Sequence, residues 1–320
     1  LLHRLALLIA VLLVATPATA VAATGKPVVV DTIAVGLNPR TAAFTPDYRF
    51  AYASNAGSNT VSVIDVRRRA VVATIPVGSF PYGVAFDRRG RFAYIANRDS
   101  DNVSVIDTED RKVVKTIPVG DAPRLAAATP DGREVWVSST ASNAVTVIGT
   151  RTQSVIATIP VGTAPRGISF APGGRVAYVA NSDSDNVSVV DAEARKVTAT
   201  IPVGDEPRGI LVTPDNRTVY VTNTIGGTVS VIDARRNAVT ATITVGKNPR
   251  GLALHAGDRI LYVTNSGSGT LNTVDTRTNK IVGEVALGAD PRYTASGPGK
   301  RYILVANTGS ASISIVTLDC

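Results

Sequence analysis

The chain predicts an all-β fold, a seven-bladed β-propeller with four antiparallel strands in each blade. Three observations carry this reading. A glycine closes the same phrase seven times, at Gly36, Gly78, Gly120, Gly162, Gly204, Gly246 and Gly288, with every spacing 42 residues. Each unit holds four short apolar runs separated by turn residues, and four strands in about 40–45 residues is the period of a propeller blade. The two ends are complementary: the last unit stops after its third strand, and an unpartnered strand precedes the first glycine.

Taken from the N-terminus, residues 1–20 read as a signal peptide. His3 and Arg4 form a short basic flank, residues 5–14 are apolar, and Ala18-Thr19-Ala20 offers a small-x-small cleavage site. The apolar run is short for a membrane anchor, and no cysteine follows it to carry a lipid. The expected product is exported to the periplasm, the cell surface or the medium, with residues 21–320 forming one monomeric propeller domain. The only cysteine, Cys320, is the last residue, so no internal disulfide is available. Hydrophobic residues make up 44% of the chain but aromatics only 5%, so the core is expected to be Val, Ile and Ala on strands.

The fifth unit shows the strand plan. Strand A covers 209–213 and Pro214-Asp215-Asn216 turns into strand B, 218–222. A polar loop leads to strand C, 229–232, and a basic turn to strand D, 238–245. Pro76, Pro118, Pro160 and Pro202 sit in D strands. Proline cannot donate a ladder hydrogen bond, which makes D the outer edge and places A at the axis. Strands B and C are apolar on both faces, as in Val61-Ser62-Val63-Ile64, which suits blades packed face to face. The N-terminal strand, 27–35, is expected to complete the seventh blade beside strand C at 313–316, leaving no open edge.

Strand B carries Tyr220-Val221-Thr222-Asn223 and Tyr262-Val263-Thr264-Asn265, with variants Tyr94-Ile95-Ala96-Asn97 and Tyr178-Val179-Ala180-Asn181. With the strand C phrase Val-Ser-Val-Ile-Asp at 229–233, these repeats resemble the YVTN β-propeller family over essentially all of residues 27–320. The resemblance implies the fold. It leaves function open, because that family includes exported, surface-layer and nucleic-acid-associated members.

Most recurrent residues read as structural. Tyr52, Tyr94, Tyr178, Tyr220 and Tyr262 share a slot with Trp136 and Leu304, which is a packing pattern. Asn55, Asn97, Asn181, Asn223, Asn265 and Asn307 are expected to satisfy the turn after strand B, and Asp65, Asp107, Asp191, Asp233 and Asp275 to cap the turn after strand C. After the leader, the one histidine, His255, and the absence of methionine give no ligand set for zinc, copper or haem. The acidic loops 97–102 and 181–186 suit polar turns, with calcium as the rival, although neither has the EF-hand pattern. No nucleophile elbow, P-loop or dinucleotide fingerprint is present. No cofactor and no catalytic residue is assigned.

The sharpest functional signal is basic. The chain has a net charge of +8, which favours polyanions such as nucleic acid, wall polymers or anionic lipid. Arg40, Arg124, Arg166, Arg208, Arg250 and Arg292 follow the loop proline in six units, and Tyr82 takes the place in the second. All enter strand A from one end, so they should crowd one mouth of the channel as an anion site. The purely structural alternative is local pairing with Asp121, Asp205, Glu206 and Asp290. Four units follow with Gly83, Gly167, Gly209 and Gly251, the others with Thr41, Leu125 and Tyr293. Tyr82 and Tyr293 could then stack nucleobases beside the arginines. The function expected is a non-catalytic binding or scaffold propeller for an anionic ligand, a polyanion or a protein partner. The rival is a propeller lactonase, lyase or cyclase working at the same mouth.

Overall fold

The computed structural model describes residues 26–297, 299 and 301–318. The signal-peptide reading of residues 1–20 and the terminal Cys320 lie outside the described residues. The described chain forms seven four-stranded antiparallel sheets, each a meander running A–B–C–D outward from the axis. In blade five the strands are Pro207–Val212, Thr218–Asn223, Thr228–Asp233 and Ala238–Thr244. Neighbouring A strands pack against one another around the axis, blade seven against blade one included. In blade four, strand B (Val176–Asn181) is buried almost throughout, while strand D (Lys196–Pro202) alternates between exposed and covered positions. That contrast is the one expected of an inner and an edge strand.

The ring closes as the chain ends require. Strand Pro27–Ala34 pairs antiparallel with Ser312–Leu318, from Pro27 opposite Leu318 to Ala34 opposite Ser312. It supplies strand D to a blade whose A, B and C strands are Pro291–Ser296, Tyr302–Asn307 and Ser312–Leu318. Between blades the core is mainly Val, Ile and Ala, with the strand B aromatics packed into it. Tyr52 meets Phe86 edge-on at 5.2 Å and Trp136 meets Phe170 at 5.0 Å. Tyr52, Tyr94, Trp136 and Tyr262 are at most 1% exposed, and burying each such ring contributes about 1.5–3 kcal/mol.

The strand B asparagines do something other than serve the following turn. Asn55 donates from Nδ2 to Thr60 Oγ1 at 3.1 Å and Ser62 Oγ at 2.9 Å, both on strand C. Asn223 repeats this with Thr228 and Ser230. The same side chains explain six of the seven glycines, and Ser139 takes the place of asparagine against Gly120. A Cβ on Gly36 would stand 2.7 Å from Asn55 Cγ, and one on Gly204 would stand 2.7 Å from Asn223 Nδ2. Sequence alone misses this, because the two residues lie nineteen positions apart (Gly36 and Asn55) and meet only when the D–A connection folds against the end of the next blade's strand B.

The strand C aspartates do cap their turns. Asp65 Oδ1 accepts the amides of Arg67 at 3.0 Å and Arg68 at 2.9 Å, and Asp233 accepts those of Arg235 and Arg236. The acidic loops tie blades together. Asp101 Oδ1 accepts the Ala122 amide and Asp185 Oδ1 the Glu206 amide, each at 2.8 Å and each from the next blade. Asn59 and Asn143 make the same bond to Phe80 and Ala164.

Candidate functional site

The antiparallel meander places every D–A and B–C connection at one mouth of the channel and every A–B and C–D turn at the other. Strand A begins at its proline, so the next residue stands at the first mouth in all seven blades. Interblade bonds hold this backbone in place. Thr222 Oγ1 donates to the Arg250 carbonyl at 3.1 Å, and Ser54 and Thr264 reach the carbonyls of Tyr82 and Arg292 in the same way. The glycines that follow are dictated by crowding at the axis. A Cβ on Gly209 would stand 2.0 Å from the Arg250 carbonyl oxygen, and one on Gly167 would stand 2.3 Å from that of Arg208.

The arginines do converge. Arg40 feels the charges of Arg292 and Arg124, Arg166 those of Arg124 and Arg208, and Arg250 those of Arg208 and Arg292. These neighbour relations complete a ring in which Tyr82 stands between Arg40 and Arg124. Its own ring lies 5.6 Å from the Arg40 guanidinium and 5.3 Å from that of Arg124. Burial, then the neighbouring guanidiniums, holds Arg40 and Arg250 below the ordinary arginine value and brings Arg166 to about 10. Arg292 moves the other way, because Tyr82 and Asp290 together outweigh its burial.

Local pairing accounts for only part of this charge. Glu206 pairs with Arg208, and Asp290 with Arg292 at 2.7 Å. Among the described residues Asp121 and Asp205 make no ion pair, and Arg40, Arg124, Arg166 and Arg250 have no carboxylate within pairing distance. Arg166 and Arg250 direct Nε to hydroxyls instead, Ser182 at 2.9 Å and Ser266 at 2.8 Å. Several buried donors face no acceptor: Nε of Arg40, Arg124 and Arg208, Nη1 of Arg250, and the Tyr82 hydroxyl.

Two findings depart from the sequence reading. Tyr82 is 1% and Tyr293 7% exposed, and their rings meet edge-on at 6.0 Å although they come from blades two and seven. They therefore join over blade one, inside the ring, and present no open face for a nucleobase to stack on. The accessible aromatic is Phe80, partly buried and flanked by Arg40 at 4.8 Å and Arg98 at 5.1 Å. Arg98 was also not legible as a site residue. It follows strand B of blade two (Phe92–Asn97) at the position of Ser182 and Ser266, adds a guanidinium where Tyr82 replaces one, and carries a buried Nε without a partner. The signal that finds it is the same broken repeat that marks Tyr82.

Beneath the ring lies a cavity of about 240 Å³, lined by Ala42, Val84, Ile168, Ile210, Leu252 and Tyr293 among others. No carboxylate or imidazole lines it among the described residues.

Residues 29–116 match the family described as lactonase, 7-bladed beta-propeller, and residues 145–252 match the cytochrome D1 heme domain family. Each covers less than half of the chain. A search of curated proteins finds no match. Among solved structures, Kuenenia stuttgartiensis hydrazine synthase superposes with a TM-score of 0.80 over 88% of this chain and 95% of that one, at 22% identity. The likeness is one of fold. The described residues do not fit a haem. The axial cavity is smaller than the roughly 300–1,000 Å³ of ordinary ligand pockets. The single described imidazole, His255, follows strand A of blade six at the far mouth, packed near Tyr262. Nor do three His, Cys, Asp or Glu side chains group as metal ligands among the described residues.

Proposed function

We propose that this protein is an exported, non-catalytic binding propeller that holds a compact, multiply charged anion at the arginine mouth. The observation that carries the reading is the set of buried, unpartnered donors on Arg40, Arg124, Arg208, Arg250 and Tyr82 around one axis. A buried donor without an acceptor costs about 1–3 kcal/mol, and an oxyanion relieves several at once. Among the described residues, Arg40, Arg124, Arg166 and Arg250 have no carboxylate within pairing distance, which supports the same sign of ligand. Residues 1–20 support export, and the Tyr-Val-Thr-Asn repeats support a place in the YVTN group. What weighs against a lactonase, lyase or cyclase is the cavity lining, which among the described residues has no carboxylate or imidazole and whose one ionisable side chain is the buried Tyr293.

Calorimetric titration of the full chain with tripolyphosphate across a salt series tests the reading. Affinity should fall as salt rises. Arg40→Gln with Arg124→Gln should weaken binding by about tenfold or more, while Arg235→Gln with Arg236→Gln at the other mouth should change it little. Equal losses in both pairs would reduce the effect to net charge, and absence of binding would remove the proposal.

A further inference from the structure

A second site arises where the repeat breaks in the core. Six blades place an aromatic ring in one strand B slot, and blade seven places Leu304 there. In the complete interfaces that ring spans the gap to the next blade. The Tyr94 hydroxyl reaches the Thr150 carbonyl of blade three at 3.3 Å. Leu304 is too short for this, and the matching position on blade one is Val66.

The vacated space is a pocket of about 500 Å³ between blades seven and one, within the size range of small-molecule sites. Its floor is Ile33, Ile64, Leu304 and Ile315, all at most 6% exposed. Arg67, Arg69 and Arg301 stand at its rim. Arg69 pairs with Asp31 at 3.4 Å, whereas Arg67 and Arg301 have no ion-pair partner among the described residues. The pocket opens toward the C–D turn of blade one, away from the arginine mouth.

We propose that this pocket binds a small aromatic carboxylate, its ring seated where the other six blades seat their own and its carboxylate against Arg67 and Arg301. The apolar floor favours the ring by burial. The rim favours the charge, since guanidinium and carboxylate match in shape. The two ends together exclude a purely apolar ligand and a purely polar one.

The test uses the full chain with 3-phenylpropionate as probe, and 3-phenylpropan-1-ol and hexanoate as comparisons, followed by calorimetry. The acid should bind, at least tenfold tighter than either comparison. Leu304→Tyr, which restores the side chain of the other blades, should abolish binding without lowering the melting temperature. Leu304→Phe serves if the hydroxyl is not accommodated. Arg67→Gln with Arg301→Gln should bring the acid down to the affinity of the alcohol and leave the alcohol unchanged. The proposal is overturned if the acid does not bind at millimolar concentration, if a folded Leu304 variant binds it as well as the parent, or if hexanoate binds equally. Tripolyphosphate binding at the other mouth should be untouched by every one of these variants, so failure at one site is separable from failure at the other.

Discussion

Raising the pH of the full chain from 6 to 8 should ionise one tyrosine well ahead of the others whose acidity the fold perturbs. Tyr82 occupies a guanidinium position in a ring of arginines. Burial opposes its ionisation, but Arg124, Arg292, Arg40 and Arg250 together outweigh burial and bring its pKa from 10 down to about 7. Tyr52 and Tyr220 are pushed up to about 12 by burial, and Tyr94, Tyr262 and Tyr293 are raised as well. The Tyr82 phenol should therefore ionise at clearly lower pH than an ordinary tyrosine. The folded-state pKa lies below the unfolded one, so the unfolded chain binds more protons between pH 7 and 10. Stability from this group is therefore complete above pH 10 and is lost as the pH falls through about 7, with a slope of at most about 1.4 kcal/mol per pH unit. Tyrosinate absorbance and urea melts across that window measure both effects. Tyr82→Phe should remove them, and Arg40→Gln with Arg124→Gln should return the titration toward 10. Tripolyphosphate at the mouth should suppress the tyrosinate signal, since an anion beside the phenol disfavours the phenolate. If the first tyrosine titrates near 10, or if Tyr82→Phe keeps the early step, the ring does not act on this phenol as argued.

Deleting residues 21–36 removes the strand paired along Ser312–Leu318 and should cause aggregation or loss of cooperative melting. A truncated chain that melts like the parent would refute the closure. Gly204→Ala forces a Cβ to within 2.7 Å of Asn223 Nδ2 and should cost about 1–3 kcal/mol in urea denaturation. Gly173→Ala, with nothing within 4 Å of its Cβ, is the matched control and should be near neutral. EDTA should leave the melting temperature unchanged, because Asp101 and Asp185 already accept backbone amides of the next blade; a large fall would show that the acidic loops bind calcium.

The period, the strand plan, the outer edge and the ring closure are all legible in the amino-acid sequence, because each signal lies inside one 42-residue unit or at a chain end. Apolar runs mark the strands, prolines mark the rim, and the missing seventh strand D is counted directly. The six arginines are legible at one mouth as well, since chain direction alone sets which end of strand A a residue enters. What those residues meet is a matter of packing in three dimensions. Tyr82 and Tyr293 touch although 211 positions separate them, and that contact buries both. Arg98 joins the site from the turn after strand B, and Asn223 at the end of strand B faces Gly204 of the preceding connection. Leu304 reads in sequence as a tolerated packing variant, but between blades seven and one it opens a pocket. These outcomes depend on side chains from different repeats converging at the axis or across a blade interface, where size, charge and exclusion of water are set by neighbours that no local pattern names.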